Sequence, residues 1–367
     1  MILIIVFVQP LNAQQVYFNN LYHVGSGDGL TSVLEIDSGY LCAGGASSKF
    51  VLIELDSGGS LIMTKQYGDS GKVYNAGGSG SLIQTSDGGY ALGGGRNSGI
   101  NASNVGMLWR FDANGDTLWT KTFGSTSNYF ETLNQCKQTP DSGFILIGAT
   151  DEPDSGGNTD IWLLKTDKDG NFEWDTTYGG AGIEYGWNIL VTSKGEYIFV
   201  RGGGIVYMTD EFGNLKWNKT FSASVGYFIE TSDGNFVGCG GRFDTTLSGS
   251  YSQYTPAVIK IDSAGSVIWQ KAYGPSRYVT GGSAIWELPD GSFVTAGQSN
   301  NNQGTPNGNG WPIGFILKVS AQGDSIWYRE YEYDTCIKND DYVRDMKPTS
   351  DGGFITAGFF FPNTSFQ

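Results

Sequence analysis

The sequence predicts an all-β fold built from repeated four-stranded units, and two interleaved motifs carry this prediction. The first motif is a polar, glycine-containing turn that opens a short apolar strand at an aromatic residue, at Tyr40, Tyr90, Phe144, Tyr197, Phe236, Phe293 and Phe354. Tyr40 and Phe354 are 314 residues apart over six intervals, so the mean period is about 52. Repeats of this length are typical of propellers, solenoids and arrays.

The second motif, Asp-x-x-Gly-x-x-x-Trp, opens the last strand of the repeat. Its tryptophans are Trp119, Trp174, Trp217, Trp269 and Trp327, with Met63 in the first copy. The Asp bonds its own backbone and the Gly takes the positive φ of a tight turn. We expect the tryptophans to pack in the core or between blades. Asp167-Lys-Asp-Gly resembles part of a calcium loop but lacks the closing bidentate Glu, so calcium is the lesser alternative.

The third repeat shows how the strands follow one another. Its apolar segments, with β-branched and aromatic residues in alternation, predict strands over residues 132–138, 144–149, 161–166 and 172–178. Four antiparallel strands in a repeat of this length predict a β-propeller. An open β-solenoid, which usually has shorter rungs, is the alternative.

The two ends of the chain predict how the ring closes. Residues 18–22 match the pattern of a fourth strand without earlier strands before them, and the last repeat offers only residues 342–348 and 354–361. We therefore expect a seven-bladed β-propeller of four-stranded antiparallel blades, closed by the N-terminal strand, which removes exposed strand edges. It would form a single domain over residues 14–367, with a truncated last blade.

Composition and the first residues indicate an exported protein. Residues 1–13 form an apolar run typical of a secretory signal, without the usual basic start, and too short to span a membrane. The net charge of −15 argues against nucleic acid as a partner. We expect a secreted or cell-surface monomer that is not membrane-spanning. The four cysteines, which lack Cys-x-x-Cys spacing, predict buried free thiols at Cys42, Cys136, Cys239 and Cys336.

Three segments, residues 85–90, 160–167 and 170–180, resemble the secreted β-propeller repeat proteins of Bacteroidota-type bacteria. The likeness covers nearly the whole chain after residue 13, and its motifs are turn and packing signatures. Such proteins often carry a C-terminal sorting domain for type IX secretion, so the resemblance implies cargo of that system. The Asp-x-x-Gly-x-x-x-Trp element is also similar to the tryptophan-docking turn of quinoprotein propellers, which supports the fold and implies no cofactor.

The long loops predict where binding takes place. Because strand direction alternates, loops between second and third strands and between blades share one face of the ring, the long-loop face. Long loops on a rigid scaffold commonly carry binding, and these are rich in amides and aromatics. We expect a binding module for a glycan or an extracellular protein, without a cofactor, using Arg96, Asn101, Asp154, Tyr185, Trp187, Arg242, Tyr251, Tyr254, Asn302 and Trp311.

Carboxylates recur ten residues before the aligned turn residue, as Glu131, Glu184 and Asp341. Near the start of the innermost strands, at the mouth of the central channel, they would attract a cation or a basic group. Alternatively, each accepts hydrogen bonds from backbone amides of the neighbouring blade. The single histidine, His23, excludes a histidine-based triad or a His-rich zinc site. A carboxylate-dependent carbohydrate-active enzyme, a glycoside hydrolase or lyase, is the alternative to a binding module.

Overall fold

The computed structural model describes residues 2–8, 15–25, 29–97, 104–124, 130–151, 158–201, 203–243, 254–274, 281–301, 311–331 and 339–362. The regular elements of these residues are β-strands, which confirms the all-β prediction. Six blades form, each from one contiguous stretch of chain. Five of them are four-stranded, and the first strand of the second blade is broken in two.

The first half of the chain holds two N-terminal strands and three blades. The N-terminal strands are β1 (Ile2–Val8) and β2 (Gln15–Tyr22). The first blade consists of β3 (Gly29–Ile36), β4 (Gly39–Ala46), β5 (Lys49–Asp56) and β6 (Leu61–Tyr67). The second consists of β7 (Val73–Asn75), β8 (Leu82–Gln84), β9 (Tyr90–Asn97), β10 (Asn104–Phe111) and β11 (Thr117–Phe123). The third consists of β12 (Glu131–Gln138), β13 (Phe144–Thr150), β14 (Asp160–Thr166) and β15 (Phe172–Tyr178), within one residue of the predicted bounds.

The second half holds three more blades and two C-terminal strands. The fourth blade consists of β16 (Gly186–Val191), β17 (Tyr197–Arg201), β18 (Ile205–Thr209) and β19 (Leu215–Thr220). The fifth consists of β20 (Ala223–Glu230), β21 (Phe236–Phe243), β22 (Tyr254–Ile261) and β23 (Val267–Ala272). The sixth consists of β24 (Gly281–Glu287), β25 (Phe293–Asn301), β26 (Trp311–Val319) and β27 (Ser325–Tyr331). The last strands are β28 (Asn339–Pro348) and β29 (Phe354–Pro362).

The two chain ends together form a further sheet, the terminal sheet, in the order β2-β1-β29-β28. The predicted seven-bladed propeller closed by one N-terminal strand is therefore wrong. Six blades form from contiguous chain, and the terminal sheet takes two strands from each end. The physical reason is that the apolar segment Ile2–Phe7, interpreted from the sequence as part of an export signal, pairs antiparallel with β29 over Phe354–Phe359.

A glycine in the second strand faces a bulge in the first strand. In the third blade the ladder shifts between Leu133 and Gln135, and Leu133 pairs with Gly148. A methyl group added at Gly148 would lie 1.8 Å from the Thr132 carbonyl oxygen, so a larger residue would displace the backbone. The same clash, with a carbonyl oxygen at 2.2 Å or less, occurs at Gly44, Gly94, Gly240 and Gly297.

The Asp-x-x-Gly-x-x-x-Trp motif joins successive blades, which confirms the packing role predicted for its tryptophans. A side chain at Gly170 would collide with the Trp119 ring, so this ring lies against the turn of the next blade. Gly170 has a φ of 74°, a conformation that favours glycine. The same contact pairs Gly213 with Trp174, Gly265 with Trp217, and Gly323 with Trp269.

A buried basic side chain of the third strand fixes the turn that precedes the second strand. Lys165, which is 5% exposed, donates hydrogen bonds to Asp141 at 2.7 Å and to Glu173 at 2.9 Å. The paired charges and hydrogen bonds allow the ammonium group to leave water. Equivalent pairs join Arg110 to Asp87, Lys260 to Asp233 and Lys318 to Asp290.

The chain divides into two compact units, each with apolar clusters of its own. One unit comprises Val24–Gly202 and Tyr207–Lys216, and the other Met1–His23, Gly203–Val206 and Trp217–Gln367. Phe50 and Trp109 lie in a cluster of the first unit, and Phe293 and Phe315 in a cluster of the second. Among the described residues, the free and buried cysteines expected from the sequence are Cys42, Cys136 and Cys239; Cys336 lies outside them.

Candidate functional site

The fourth blade departs from the repeat at the glycine position of the second strand. Four residues after the opening aromatic, this blade carries Arg201, where the other blades and the terminal sheet carry Gly44, Gly94, Gly148, Gly240, Gly297 and Gly358. The residue that pairs with Arg201 in β16 is Gly186, so the small residue lies on the opposite strand. This exchange makes room for a long, charged side chain.

Arg201 forms an ion pair with a buried carboxylate. Its Nη2 lies 2.9 Å from Oε1 of Glu184, in the segment between β15 and β16. Glu184 is 4% exposed, and its Oε2 accepts a hydrogen bond from the Gly180 amide at 2.8 Å. Because a buried ion pair is stable only when its other oxygens are also hydrogen-bonded, Gly180 completes the arrangement. Glu184 thereby holds the segment that leads into β16.

A second carboxyl group lies beside Glu184. A methyl group added at Gly179 would lie 1.8 Å from Oδ1 of Asp160 and 2.5 Å from Oε2 of Glu184, so both carboxyl groups pack on this glycine. Asp160 is 6% exposed, and its Oδ1 has no hydrogen-bond partner within the described part of the chain. Burial raises the pKa of Asp160, and the negative charge of Glu184 raises it further. The Asp160 carboxyl therefore takes up a proton at a higher pH than an ordinary aspartate does.

Tyr207 of β18 completes a polar cluster that consists of Asp160, Glu184, Arg201 and Tyr207. Its ring stacks on the Phe199 ring with 5.2 Å between centroids. Burial raises the pKa of the Tyr207 hydroxyl, while the charge of Arg201 and a hydrogen bond from that residue act in the opposite direction. The hydroxyl therefore stays neutral and helps to orient Arg201.

Aromatic side chains on the adjoining segments form a surface at the junction of the third and fourth blades. The Tyr185 ring lies 5.9 Å from the Phe130 ring and 5.9 Å from the Trp187 ring, measured between centroids. Trp187 is the extra residue at the bulge of β16 and is 49% exposed. Ile183 is 69% exposed. We call Phe130, Ile183, Tyr185 and Trp187 the junction surface.

The junction surface presents apolar groups from a backbone that charged contacts hold in place. Trp and Tyr offer a large contact area with two side-chain torsions each, so binding restricts little conformational freedom. Glu184 is bonded to Arg201 and lies between Ile183 and Tyr185 in the chain, so the ring of Tyr185 is preorganised. The arrangement is suited to binding an apolar group against Trp187.

The structure brings together two of the predicted binding residues, Tyr185 and Trp187. Arg96 lies elsewhere, in β9, where it pairs with Tyr74 of β7. A hydrogen bond from Lys72, and more weakly the charge of Arg96, lower the pKa of the nearby Asp69. Arg96 therefore belongs to a separate polar group in the second blade.

Arg242 and Tyr254 lie on the neighbouring strands β21 and β22 of the fifth blade. Arg242 pairs with Thr255, and Phe243 pairs with Tyr254, so the two predicted residues are one ladder step apart. Trp311 begins β26, and Asp341 lies in β28, where only their backbone positions are described. The remaining predicted residues lie outside the described parts of the chain: Asn101, Asp154, Tyr251 and Asn302.

The predicted carboxylates Glu131 and Glu184 are placed at separate blade junctions. Glu131, which is 1% exposed, packs on Gly124, and Glu184 packs on Gly179. Glu184 accepts a hydrogen bond from the Gly180 amide and pairs with Arg201, and the carboxylate cluster at the channel mouth stays a prediction. No group of three or more His, Cys, Asp or Glu side chains is arranged to hold a metal ion in the part of the chain that the structure describes.

Sequence reasoning missed Asp160 and Arg201. Arg201 had a signal, because its position holds glycine in every other repeat. Asp160 had none, since its environment depends on Gly179 and Glu184, which only the folded chain brings to it. A cleft that lies between the turns 287–290 and 348–353 contains none of the predicted binding residues. The described residues include no helix that is long and apolar enough to cross a membrane.

Solved structures similar to this chain are β-propellers. The WD40 β-propeller domain of Doa1 aligns with a TM-score of 0.56 and 12% identity, over 93% of this chain and 96% of that chain. The Pan2 WD40 domain of Neurospora crassa aligns with a TM-score of 0.56 and 10% identity, over 90% of this chain and 88% of that chain. The Dos1 propeller aligns with a TM-score of 0.53 and 12% identity, over 90% and 77%. At these identities the likeness shows the fold: the chain is a β-propeller.

The bacterial group and the export route implied by the sequence resemblance stay predictions. A Bacteroides caccae protein of unknown function aligns with a TM-score of 0.49 and 12% identity, over 83% of this chain and 94% of that chain, a score too low to support relationship. No family model matches the chain, and no curated protein matches it.

Proposed function

We propose that this β-propeller is a secreted or cell-surface binding module that holds a protein ligand at the junction surface. The observation that carries the proposal is the exposure of Trp187 and of Ile183, at 49% and 69%, on a segment fixed by the Glu184–Arg201 ion pair. Residues with this much apolar area in solvent lower the free energy of a complex when a partner covers them.

The composition of the junction surface favours a protein over a glycan. Trp and Tyr are enriched among the residues that dominate protein–protein binding, and they act at the centre of a patch that excludes water. Ile183 adds an exposed branched aliphatic side chain, which has no stacking face for a sugar ring. The apolar N-terminal segment, residues 1–13, supports an extracellular location for the partner.

Selection from a displayed peptide library, on the full chain, tests the proposal. Selected peptides are expected to lose at least about tenfold in affinity for Trp187→Ala, because truncation of a central aromatic costs 1.4 kcal/mol or more. The matched control is Phe212→Ala, which removes an aromatic that is 67% exposed in the turn before β19. This control is expected to leave the affinity unchanged.

Two outcomes contradict the proposal. Peptides whose affinity is insensitive to Trp187→Ala would place protein binding elsewhere on the molecule. A glycan array that reports Trp187-dependent binding, with no peptide selected, would replace the protein ligand by a carbohydrate at the same surface.

A further inference from the structure

Strand β1 occupies the third-strand position of the terminal sheet in the register of a regular blade. Val6 pairs with Ile355, and Phe7 pairs with Phe354. In the third blade, Lys165 pairs with Ile145, and Thr166 with Phe144. Val6 therefore stands where the third blade has Lys165. The ladder of β1 with β2 also shifts after Val6, as the ladder of β14 with β15 shifts after Lys165.

Four blades place a basic residue at this register position. Lys165 lies 2.7 Å from Asp141, Lys260 lies 2.6 Å from Asp233, and Lys318 lies 3.2 Å from Asp290. Arg110 forms the same pair with Asp87. These basic side chains are 5–10% exposed, so each of the four blades has a buried charge in the contact between its third strand and its turn.

The terminal sheet keeps the acidic half of this contact. Asp351 accepts hydrogen bonds from the Thr349 hydroxyl at 2.6 Å and from the Gly353 amide at 3.1 Å. Asp141 accepts the equivalent bonds from Thr139 and Gly143. The turn is thus built to receive a basic side chain from the third strand, and β1 offers a valine at that register position. Strand β1 is therefore uncharged at the register position where the Asp351 turn would receive a basic side chain.

Strand β29 has the core side chains of a central strand. Ile355 and Ala357 are fully buried, and Phe354 is almost so. Its edge toward β1 needs a partner, because an unpaired strand edge leaves backbone groups unsatisfied and attracts other strands. The present partner is the apolar segment that resembles an export signal, and its removal during export would vacate this edge.

We propose that the edge of β29 is a strand-acceptor site for a protein partner. The incoming segment is an extended, apolar strand that carries Lys or Arg opposite Ile355, pairs antiparallel with β29 and replaces β1. Backbone hydrogen bonds provide the affinity, and the contact of the basic side chain with Asp351 provides the specificity. This inference is independent of the junction surface.

A labelled peptide with the sequence of residues 160–166, which is a third strand of this chain with Lys165 in place, tests the inference. The acceptor is the full chain with Ile5→Pro, because proline removes a backbone donor in the middle of β1. The peptide is expected to bind this variant at least about tenfold more tightly than the unaltered chain, in which β1 competes for the edge.

Two matched controls test the specificity. A peptide with Glu at the Lys165 position should bind at least about tenfold more weakly, because two carboxylates would then meet at Asp351. Asp351→Asn in the Ile5→Pro chain should remove the difference between the two peptides. Absence of binding to the folded variant, or equal binding of both peptides with Asp351 present, would overturn the inference.

Hydrogen exchange on the unaltered chain provides a test that does not depend on the folding of the variant. If β1 exchanges with other strands, backbone amides of residues 354–359 should exchange at least about tenfold faster than those of residues 144–149 in the third blade. Addition of the Lys-containing peptide should slow them. Equal protection of the two segments, unchanged by peptide, would count against a strand-acceptor site.

Discussion

Two regions of the molecule use charged side chains in opposite ways. At the turns before the second strands, the Lys165–Asp141 pair recurs with small changes in three other blades. At the junction of the third and fourth blades, Arg201 and Glu184 form a pair at a position where the other repeats hold glycine. The recurrent pairs are explained by the fold, since each one fixes the turn of its own blade. The unrepeated pair has no such explanation, and the exposed aromatics lie beside it.

The two regions differ at the glycine position of the second strand. Substitution at this position is expected to have the largest effect on the free energy of unfolding. Gly44→Ala should lower the free energy of unfolding by about 3 kcal/mol, because the added methyl group would lie 2.0 Å from the Gly29 carbonyl oxygen. The adjacent Gly45 is the control, since the nearest atom to its methyl group would be 3.8 Å away. Chemical denaturation of both variants measures the difference. Equal losses would mean that the glycine is not required by the bulge and that Arg201 is an ordinary substitution.

Removal of the unrepeated ion pair is expected to have the next largest effect. Arg201→Met should cost about 2 kcal/mol at neutral pH, because it leaves the carboxylate of Glu184 buried without its cation. The double variant Arg201→Met/Glu184→Gln should regain part of this loss. Lys168→Met is the control, since the Lys168–Asp169 pair is exposed and should contribute little to the free energy of unfolding. If the free energy of unfolding falls by the same small amount in the Lys168 and Arg201 variants, Arg201 does not fix the segment before β16.

The repeated features of the fold could be predicted from the sequence because each copy repeats the same local signal. The turn glycines, the alternating strands and the docking of Trp119 on Gly170 all depend on residues close together in one motif or in adjacent motifs. Because the signal recurs in tandem copies, a departure in one copy does not hide the pattern that the others share. For this reason the strands of the third blade fall within one residue of their predicted bounds.

The features that failed prediction depend on residues far apart in the chain. The segment Ile2–Val8 has the composition of an export signal and also that of a β-strand, and its partner β29 lies at the other end of the chain. The prediction of seven regular blades failed at this segment. Asp160 looked like the ordinary start of a third strand, and its proximity to Glu184 follows from the packing of both on Gly179. Arg201 was detectable, but only by aligning the second strands position by position.

The two regions should also respond to pH with opposite signs. Hydrogen bonds from Lys165, Thr139 and the Gly143 amide outweigh the effect of burial and lower the pKa of Asp141 from 3.8 to about 2. Ionised Asp141 therefore stabilises the fold above pH 3.8, and this contribution is lost as the pH falls through about 2. The pKa of Asp160 is raised by burial and by Glu184, so its contribution is present below pH 3.8 and is lost as the pH rises through its folded value.

Denaturation curves at several pH values for two asparagine variants measure these signs. Asp141→Asn should lose about 1 kcal/mol at neutral pH, a small amount because the carboxylate is half exposed, and the loss should vanish near pH 2. The free energy of unfolding of Asp160→Asn, relative to that of the unaltered chain, should be higher at neutral pH than at pH 3. Parallel curves for the two variants would show that the charges at the turn and at the junction behave alike, and the contrast between the regions would fail.

The smallest effect on stability is expected at Trp187. Because its side chain is half exposed and its main contact is the Tyr185 ring, Trp187→Ala should change the free energy of unfolding by about 0.5 kcal/mol or less. Phe212→Ala, at another exposed aromatic of the same blade, should have an effect of similar size. A loss of about 2 kcal/mol for Trp187→Ala alone would identify the ring as part of the core. A small loss would mean that the fold does not require Trp187, which is the result that the proposed binding role predicts.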